Sequence, residues 1–417
     1  MTGAGHSEAE PLSLTIAGAA WFESRAVRTV FRALNRDGHE ARVVGGAVRN
    51  TLMGLPVGDV DFATTASPEE VVRFAREAGL KPVATGLHHG TITLVVEGRP
   101  FEVTTLRQDV ETHGRHATVK FTRDWAGDAK RRDFTMNALY AAEDGRVYDP
   151  LGGYHDLRAR RVYFIGLAHE RIREDYLRIL RFFRFTAEYA GEGPDRVGFH
   201  AAIAERGGLA RLSAERIHAE LLRILVAREP MLALEPMAGG GFLTAILGGV
   251  ARLAHFSRLA VLETRLGLAP DPVRRLAALA VMIEEDVGRL VARLRLSNAE
   301  GARLEAMAAL HPVMHAGLDE ARAREILYRL GRETYRDRVL IAWARAGDDP
   351  ASDAWRGLLT LPERWQAPEF PLKGQDLLNA GLEKGPRIGE IMRALEAAWI
   401  ASGFALSREE LLGQAAV

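Results

Sequence analysis

Two carboxylates, Asp59 and Asp61, stand at i and i+2 in the segment Gly58-Asp59-Val60-Asp61-Phe62. On a strand, side chains alternate faces, so both would point the same way, roughly 6–7 Å apart. Two hard oxygen donors on one face suit Mg²⁺, which takes one or two protein carboxylates and fills its other positions with water and substrate phosphates. Shortly upstream, Val43-Val44-Gly45-Gly46-Ala47-Val48-Arg49-Asn50 carries a β-branched pair into two glycines, where the backbone can approach a phosphate closely. Each piece alone is weak, since Gly-Gly after a strand is more often a turn and Asp-x-Asp more often a solvated loop. Together, with Arg49 between them, they point to metal-assisted phosphoryl or nucleotidyl transfer. The glycines do not form Gly-x-Gly-x-x-Gly, which disfavours a dinucleotide-binding fold.

Further polar residues follow. Glu102 lies in the alternating stretch Phe101-Glu102-Val103-Thr104-Thr105-Leu106-Arg107, where it could add a third carboxylate or sit on an edge-strand surface. Between Arg107 and Lys120 the chain is polar, charge-mixed and glycine-containing, which reads as a mobile loop. Lys130-Arg131-Arg132-Asp133 reads as a basic helix start. In Arg173–Arg184, helical spacing puts Ile172, Tyr176, Ile179, Leu180 and Phe183 on an inward face, while Asp175, Arg178, Arg181 and Arg184 step by three along one ridge. Taken alone, such a ridge is a salt-bridged solvent face.

Gly45-Gly46-Ala47-Val48-Arg49-Asn50 followed by Asp59-x-Asp61 resembles the signature of class II tRNA nucleotidyltransferases and bacterial poly(A) polymerases, in the polymerase-beta-like nucleotidyltransferase superfamily. Arg131-Arg132-Asp133-Phe134-Thr135-Met136-Asn137-Ala138 and Glu174-Asp175-Tyr176-Leu177-Arg178 match further motifs of that family. The likeness is strong over about residues 41–230 and weaker near the C-terminus. One departure is Asn50, where the family usually has Asp. The resemblance implies that Asp59 and Asp61 hold two Mg²⁺ ions, one activating an RNA 3′-hydroxyl and the other stabilising the triphosphate and leaving pyrophosphate. It implies that Gly46, Arg49 and Arg132 hold the triphosphate and sugar, and that Asp175 and Arg178 select the base, with Arg181 and Arg184 supporting that ridge or contacting phosphates. The loop carrying Asp109 and Arg115 resembles one that helps switch addition from C to A.

The base-selecting role makes chemical sense. On their Watson–Crick edges, cytosine and adenine both put an amino donor beside a ring-nitrogen acceptor; uracil and guanine put a carbonyl beside an N–H. A carboxylate only accepts and a guanidinium only donates, so Asp175 beside Arg178 complements C and A and opposes U and G. The implied activity is template-independent addition of CMP and AMP from CTP and ATP to the 3′ end of the tRNA acceptor arm. A poly(A) polymerase, an A-adding tRNA enzyme and a non-catalytic RNA-binding protein are the alternatives; the lack of a long basic tail favours tRNA over generic RNA.

These residues need elements to position them. A helical pattern spans Trp21–Asp37, and short β-rich runs follow at Arg42–Val44, Val60–Ala63, Thr91–Val96 and Phe101–Leu106. A helix is expected from Pro68 to Ala78, with Ser67 as N-cap and Pro68 in the first turn. Beyond about Arg171, strand-like runs nearly vanish and 3.6-residue periodicity takes over, with breaks near Gly191–Gly193, Gly239–Gly241, Ala269–Pro272 and Leu361–Pro371. The expected fold class is α+β: a polymerase-beta-like head with one small mixed sheet, followed by an all-helical neck, body and tail. The expected boundaries are a loose tail at 1–20, head 21–165, neck 166–238, body 239–360 and tRNA-binding tail 361–417.

At 417 residues the chain is long enough for two to four domains of about 150 residues each. A hydrophobic content of 47% supplies the cores. The formal net charge is zero, so any nucleic-acid surface must be a local basic patch. The absence of cysteine excludes disulfides, thiol catalysis and zinc–thiolate sites. The first residues lack the basic and apolar regions of a signal peptide, and no apolar run approaches the ~20 residues of a membrane span. A cytoplasmic protein is the simplest expectation.

Overall fold

In the computed structural model, which describes residues 10–86, 90–113, 116–309 and 311–415, the chain divides into two units, Met1–Ile246 and Leu247–Val417. The first unit opens with strands β1 (Pro11–Thr15), β2 (Ala41–Val44), β3 (Asp61–Thr64), β4 (Lys81–Gly86), β5 (Thr91–Val96) and β6 (Arg99–Thr105). Next come β7 (Arg107–His113) and β8 (His116–Phe121), then β9 (Tyr140–Ala141) and β10 (Arg146–Tyr148). Among the described residues, eight of these form one sheet in the order β1-β10-β9-β2-β3-β6-β5-β4, while β7 and β8 make a separate two-stranded ribbon. The sheet is mixed: β3 and β6 run parallel, and β2 runs antiparallel to both β3 and β9. All four residues of β2 are buried, as expected for a strand in the middle of a sheet.

Residues 11–20 are not a loose tail. The alternation Pro-Leu-Ser-Leu-Thr lets Leu12 and Leu14 half-bury while β1 pairs with β10 from Pro11↔Tyr148 to Thr15↔Arg146. Helix α1 (Arg25–Leu34) is shorter than its periodicity predicts, because Ser24 caps it by accepting from the Val27 amide. Helix α2 (Gly46–Leu52) follows β2 directly. Helix α3 (Pro68–Glu77) starts where expected and adds a full capping box: Glu70 N–H donates to Ser67 Oγ and Ser67 N–H donates to Glu70 Oε2. One face of the sheet is sealed by a chain of edge-on rings, Phe22–Phe31 at 5.7 Å, Phe31–Phe62 at 5.0 Å and Phe62–Phe101 at 6.1 Å.

The remainder of this unit is helical: α4 (Trp125–Lys130), α5 (Gly153–Arg158), α6 (Ala168–Glu174), α7 (Leu177–Tyr189), α8 (Arg196–Ala204) and α9 (Ala214–Val226). Phe134, beside the Arg131-Arg132-Asp133 run, packs against Phe164 at 5.0 Å and Phe185 of α7 at 4.9 Å. The second unit is all helix among its described residues. Its helices break between Arg265 and Pro272 and between Arg364 and Gly374, at the turn signals read from sequence. Pro272 and Pro386 each open a helix, where a missing N–H costs nothing. Toward the C-terminus, Leu372, Leu377, Leu395, Trp399 and Leu411 share a small apolar core. Among the described residues, no helix is long and apolar enough to cross a membrane.

Candidate active site

Asp61 opens β3, and the parallel register sets it directly beside Glu102 of β6. The third-carboxylate expectation for Glu102 thus has a structural basis, since partners in a ladder point to the same face. Asp59 departs from its expectation. β3 begins only at Asp61, because its partner β2 ends at Val44, opposite Asp61, where the chain turns into α2. Asp59 therefore sits in the connecting segment, outside the strand, and the alternation argument applies to Asp61 alone. The two remain electrostatically linked. Surrounding protein, then Glu102, then Asp59 push the Asp61 carboxyl up to about 6, against partial relief from Arg132. Among the described residues, no group of three or more His, Asp or Glu side chains is gathered closely enough to hold a metal ion on its own. Mg²⁺ fills much of its shell with phosphate oxygens and water and takes one or two carboxylates from the protein.

Gly45 turns the chain from β2 into α2 with φ 73° and ψ −120°, a conformation closed to residues with a Cβ. A Cβ there would lie 3.8 Å from Arg132 Nη1 and 3.6 Å from the Asn137 carbonyl, so the glycine brings the backbone against the arginine. No side chain caps the start of α2, which leaves the first-turn amides around Gly46 uncapped. Arg132 is held from behind: it donates to Asp128 Oδ2 at 3.1 Å and to Tyr140 Oη at 3.2 Å, while Tyr140 Oη–H donates to Asp128 at 2.8 Å. Burial acting alone would raise the fully buried Asp128 carboxyl; Arg132, Arg131 and Tyr140 hold it below its usual range.

Arg49 is not placed as the resemblance implies. It is 6% exposed and turned inward, donating to Asn137 Oδ1, to Tyr189 Oη at 2.7 Å and to Asn50 Oδ1 at 2.8 and 3.0 Å. Its guanidinium also lies 4.0 Å from the Tyr189 ring centroid. Arg49 ties α2 to α7 and presents no open fork to a phosphate.

The Asp175 ridge is not one continuous helix. Asp175 is extended, with φ −151° and ψ 108°, and separates α6 from α7. Ile172, Ile179, Leu180 and Phe183 are each buried, with Tyr176 half-buried at the break. Asp175 Oδ2 accepts from Arg216 at 2.7 Å and Oδ1 from the Leu177 amide at 3.1 Å. Arg178 donates through Nη1 to Glu174 at 2.5 Å and to the Arg171 carbonyl at 2.7 Å; its Nε and Nη2 make no hydrogen bond among the described residues. Arg181 grips Asp133 Oδ2 at 2.9 and 2.5 Å, and Arg184 donates to Glu220 at 2.6 Å. The bonded nitrogens of the last two face protein.

Burial pulls the Asp133 carboxyl up, but Arg181, Asn137 and the Phe134 amide outweigh it and bring it from 3.8 down to about 2. Its contribution to stability is complete above about pH 4 and is lost as pH falls toward 2. Arg181→Ala takes the cation from this carboxylate and leaves it the Asn137 and Phe134 bonds. Arg181 is a third exposed, so the expected cost is at the low end for a broken buried pair, about 3 kcal/mol. Urea unfolding at pH 7.5 measures that loss, and the difference between variant and parent should shrink as pH approaches 2.

Sequence reasoning missed Asp128, Tyr140, Arg171 and Arg216. Arg171, 8% exposed, donates to the carbonyls of Arg131 at 2.5 Å and Arg132 at 2.6 Å, binding α6 to the Arg132 segment. Arg216 of α9 holds Asp175 Oδ2 at 2.7 Å. Within the segment read as a mobile loop, Arg107–His113 and His116–Phe121 form the β7–β8 ribbon, with Asp109 opposite Val119 in register. Arg115 lies outside the described residues. Asp156 braces the turn after β10: it accepts from Thr135 Oγ at 2.7 Å and from Arg161 Nε at 3.0 Å.

Residues 41–163 match the family described as the poly A polymerase head domain. Over 407 residues the chain is 36% identical to the mitochondrial CCA tRNA nucleotidyltransferase 1 of Mus musculus, covering 93% of this chain and 89% of that one. It is 33% identical over 388 residues to the CCA-adding enzyme of Geobacillus kaustophilus, covering 92% and 94%. The crystal structure of the Bacillus stearothermophilus CCA-adding enzyme in complex with CTP superposes with a TM-score of 0.74 at 27% identity, over 94% of this chain and 96% of that one. The carboxylates beside Arg132, the Gly45 turn and the Asp175–Arg178 break are thus set in a chain that belongs to the CCA-adding tRNA nucleotidyltransferase family.

Proposed function

We propose that this protein adds CMP, CMP and AMP in turn to the 3′ end of tRNA, taking them from CTP and ATP and releasing pyrophosphate. The observation that carries the reading is the hydrogen-bonded chain joining the Arg132 corner to the base-selecting break. Arg171 binds the Arg132 carbonyl, and Arg178 binds the Arg171 carbonyl. A nucleotide whose phosphates meet Arg132 would therefore have its base within the same rigid frame as Asp175 and Arg178.

Asp59 and Asp61 would hold Mg²⁺, with Glu102 beside Asp61; two divalent ions there supply charge neutralisation at the triphosphate and activation of the attacking hydroxyl. Arg132 binds phosphate or ribose oxygens with a fork that Asp128 and Tyr140 keep from swinging away. The uncapped amides at the start of α2, Gly46 among them, add donors facing negative charge. Asp175 accepts from the exocyclic amine of C or A, since each of its oxygens has a lone pair beyond its present bond. Arg178 donates to the adjacent ring nitrogen through Nε or Nη2. Arg49, Arg181 and Arg184 stiffen the frame. The β7–β8 ribbon, by its resemblance, serves the change from C to A. The sequence reading puts the activity in the cytoplasm; fractionation of cells producing the tagged chain tests that placement.

The decisive contrast is with a silent RNA-binding protein. The purified chain, given tRNA transcript lacking its last three residues, labelled CTP and Mg²⁺, should yield labelled tRNA, and EDTA should stop it. Binding of the transcript with no incorporation at any metal concentration would overturn the proposal.

A further inference from the structure

We propose that Arg171 is a positioning residue that serves both ends of the bound nucleotide. It anchors the backbone that carries Arg132, and it shares Glu174 with Arg178 so that Arg178 keeps Nε and Nη2 open to the base. The inference rests on the roles proposed above for Arg132 and Arg178.

Arg171 lies in the middle of α6 and is buried. Its Nη2 donates to two carbonyls at once, those of Arg131 at 2.5 Å and Arg132 at 2.6 Å. Arg131 is the C-cap of α4, so the helix supplies no further amide to these carbonyls. Arg132 is therefore held at both ends, its side chain by Asp128 and Tyr140 and its main chain by Arg171. The other nitrogens of Arg171 are also turned into the protein. Nη1 donates to Glu174, and Nε is buried with no partner among the described residues. Arg171 thus offers no donor to a nucleotide and acts through the groups it holds.

Glu174 is where the two arginines meet. Its Oε2 accepts from Arg171 Nη1 and from Arg178 Nη1, the latter at 2.5 Å. Arg178 Nη1 also donates to the Arg171 carbonyl at 2.7 Å. A carboxylate facing a lone guanidinium favours fork-to-fork pairing through two parallel bonds. Such pairing on Arg178 would consume Nε or Nη2, the donors meant for the ring nitrogen. While Arg171 holds Oε2, Glu174 meets Arg178 through Nη1 only. Lysine is no substitute at position 171. Its ammonium is a point charge on a flexible stem, whereas the guanidinium reaches two carbonyls and a carboxylate from one rigid fork.

The test measures two quantities in the parent, R132A, R178A, R171M and R171K. One is inhibition of CMP incorporation by inorganic tripolyphosphate, which carries no base. The other is the ratio of CMP to UMP incorporation on tRNA transcript lacking its CCA. R132A should weaken tripolyphosphate inhibition and R178A should lower the ratio, each with little effect on the other measure. R171M should do both, by about 10-fold each, since a misplacement of about 1 Å can cost up to about 100-fold. R171K keeps the charge but not the fork, so it should show both defects in milder form, and it carries the test if R171M fails to fold. If the Arg171 variants lose rate alike for every nucleotide, with both measures as in the parent, Arg171 serves only the fold; the inference is then overturned and the proposed function stands. A change in only one of the two measures overturns it equally. If R178A keeps the parent's ratio, or R132A the parent's inhibition, the role proposed for that residue falls and the Arg171 inference falls with it.

Discussion

Asp61→Ala is expected to lower CMP incorporation by three or more orders of magnitude while leaving tRNA affinity within a few-fold of the parent. A metal ligand and its charge contribute several kcal/mol to phosphoryl-group transfer, and about 4 kcal/mol corresponds to a factor near 10³. Asp59→Ala should behave alike. The structure adds a signature that a general folding defect would not share. The Asp61 carboxyl is pushed from 3.8 up to about 6 by burial, Glu102 and Asp59, so keeping it ionised opposes folding when no cation is present. That penalty is absent below about pH 4 and complete above about pH 6. Asp61→Asn should therefore be inactive yet at least as thermostable as the parent at pH 7.5 without metal, with the advantage disappearing near pH 4. An inactive variant that melts well below the parent at pH 7.5 would mean that Asp61 serves the fold.

The second large effect concerns selectivity. Arg178→Ala should raise misincorporation of UMP and GMP relative to CMP and AMP by about 10-fold or more. A buried polar group left mispaired costs about 1–3 kcal/mol, and each 1.4 kcal/mol is tenfold in a ratio of rates. Arg178 is poised for this because Glu174 and the Arg171 carbonyl take only Nη1. Asp175→Asn is the matching control, since an amide can turn either a donor or an acceptor toward the base. Single-nucleotide incorporation assays with each of the four triphosphates measure the ratios. Unchanged ratios in Arg178→Ala would make the residue a brace for Glu174 and nothing more.

How far these sites were legible depended on where each residue's partners lie in the chain. Asp61 and Arg132 stand in local motifs, so their sequence neighbours alone single them out as candidates. The Ser67 N-cap and Pro68 in the first turn of α3 were legible for the same reason. Arg49 was not, because its fate is set by Asn137 and Tyr189, 88 and 140 residues away. Glu102 was ambiguous until the parallel register set it beside Asp61. Asp128 carries no motif of its own in the sequence; only the fold buries it beneath Arg131, Arg132 and Tyr140. The Asp175 break hid within an unbroken 3.6-residue pattern, since apolar residues on both sides of it are buried. β1 was too short to stand out, and its partner β10 is more than a hundred residues on.

The central claim is tested most directly by product length. The purified chain is incubated with Mg²⁺ and a tRNA transcript lacking its 3′ CCA, with CTP alone, ATP alone, or both, and the products are resolved at single-nucleotide resolution. The account predicts two added residues with CTP alone, and with both nucleotides three added residues followed by arrest. A long A tail would show a poly(A) polymerase, addition only to a transcript already ending in CC would show an A-adding enzyme, and either result would contradict the account.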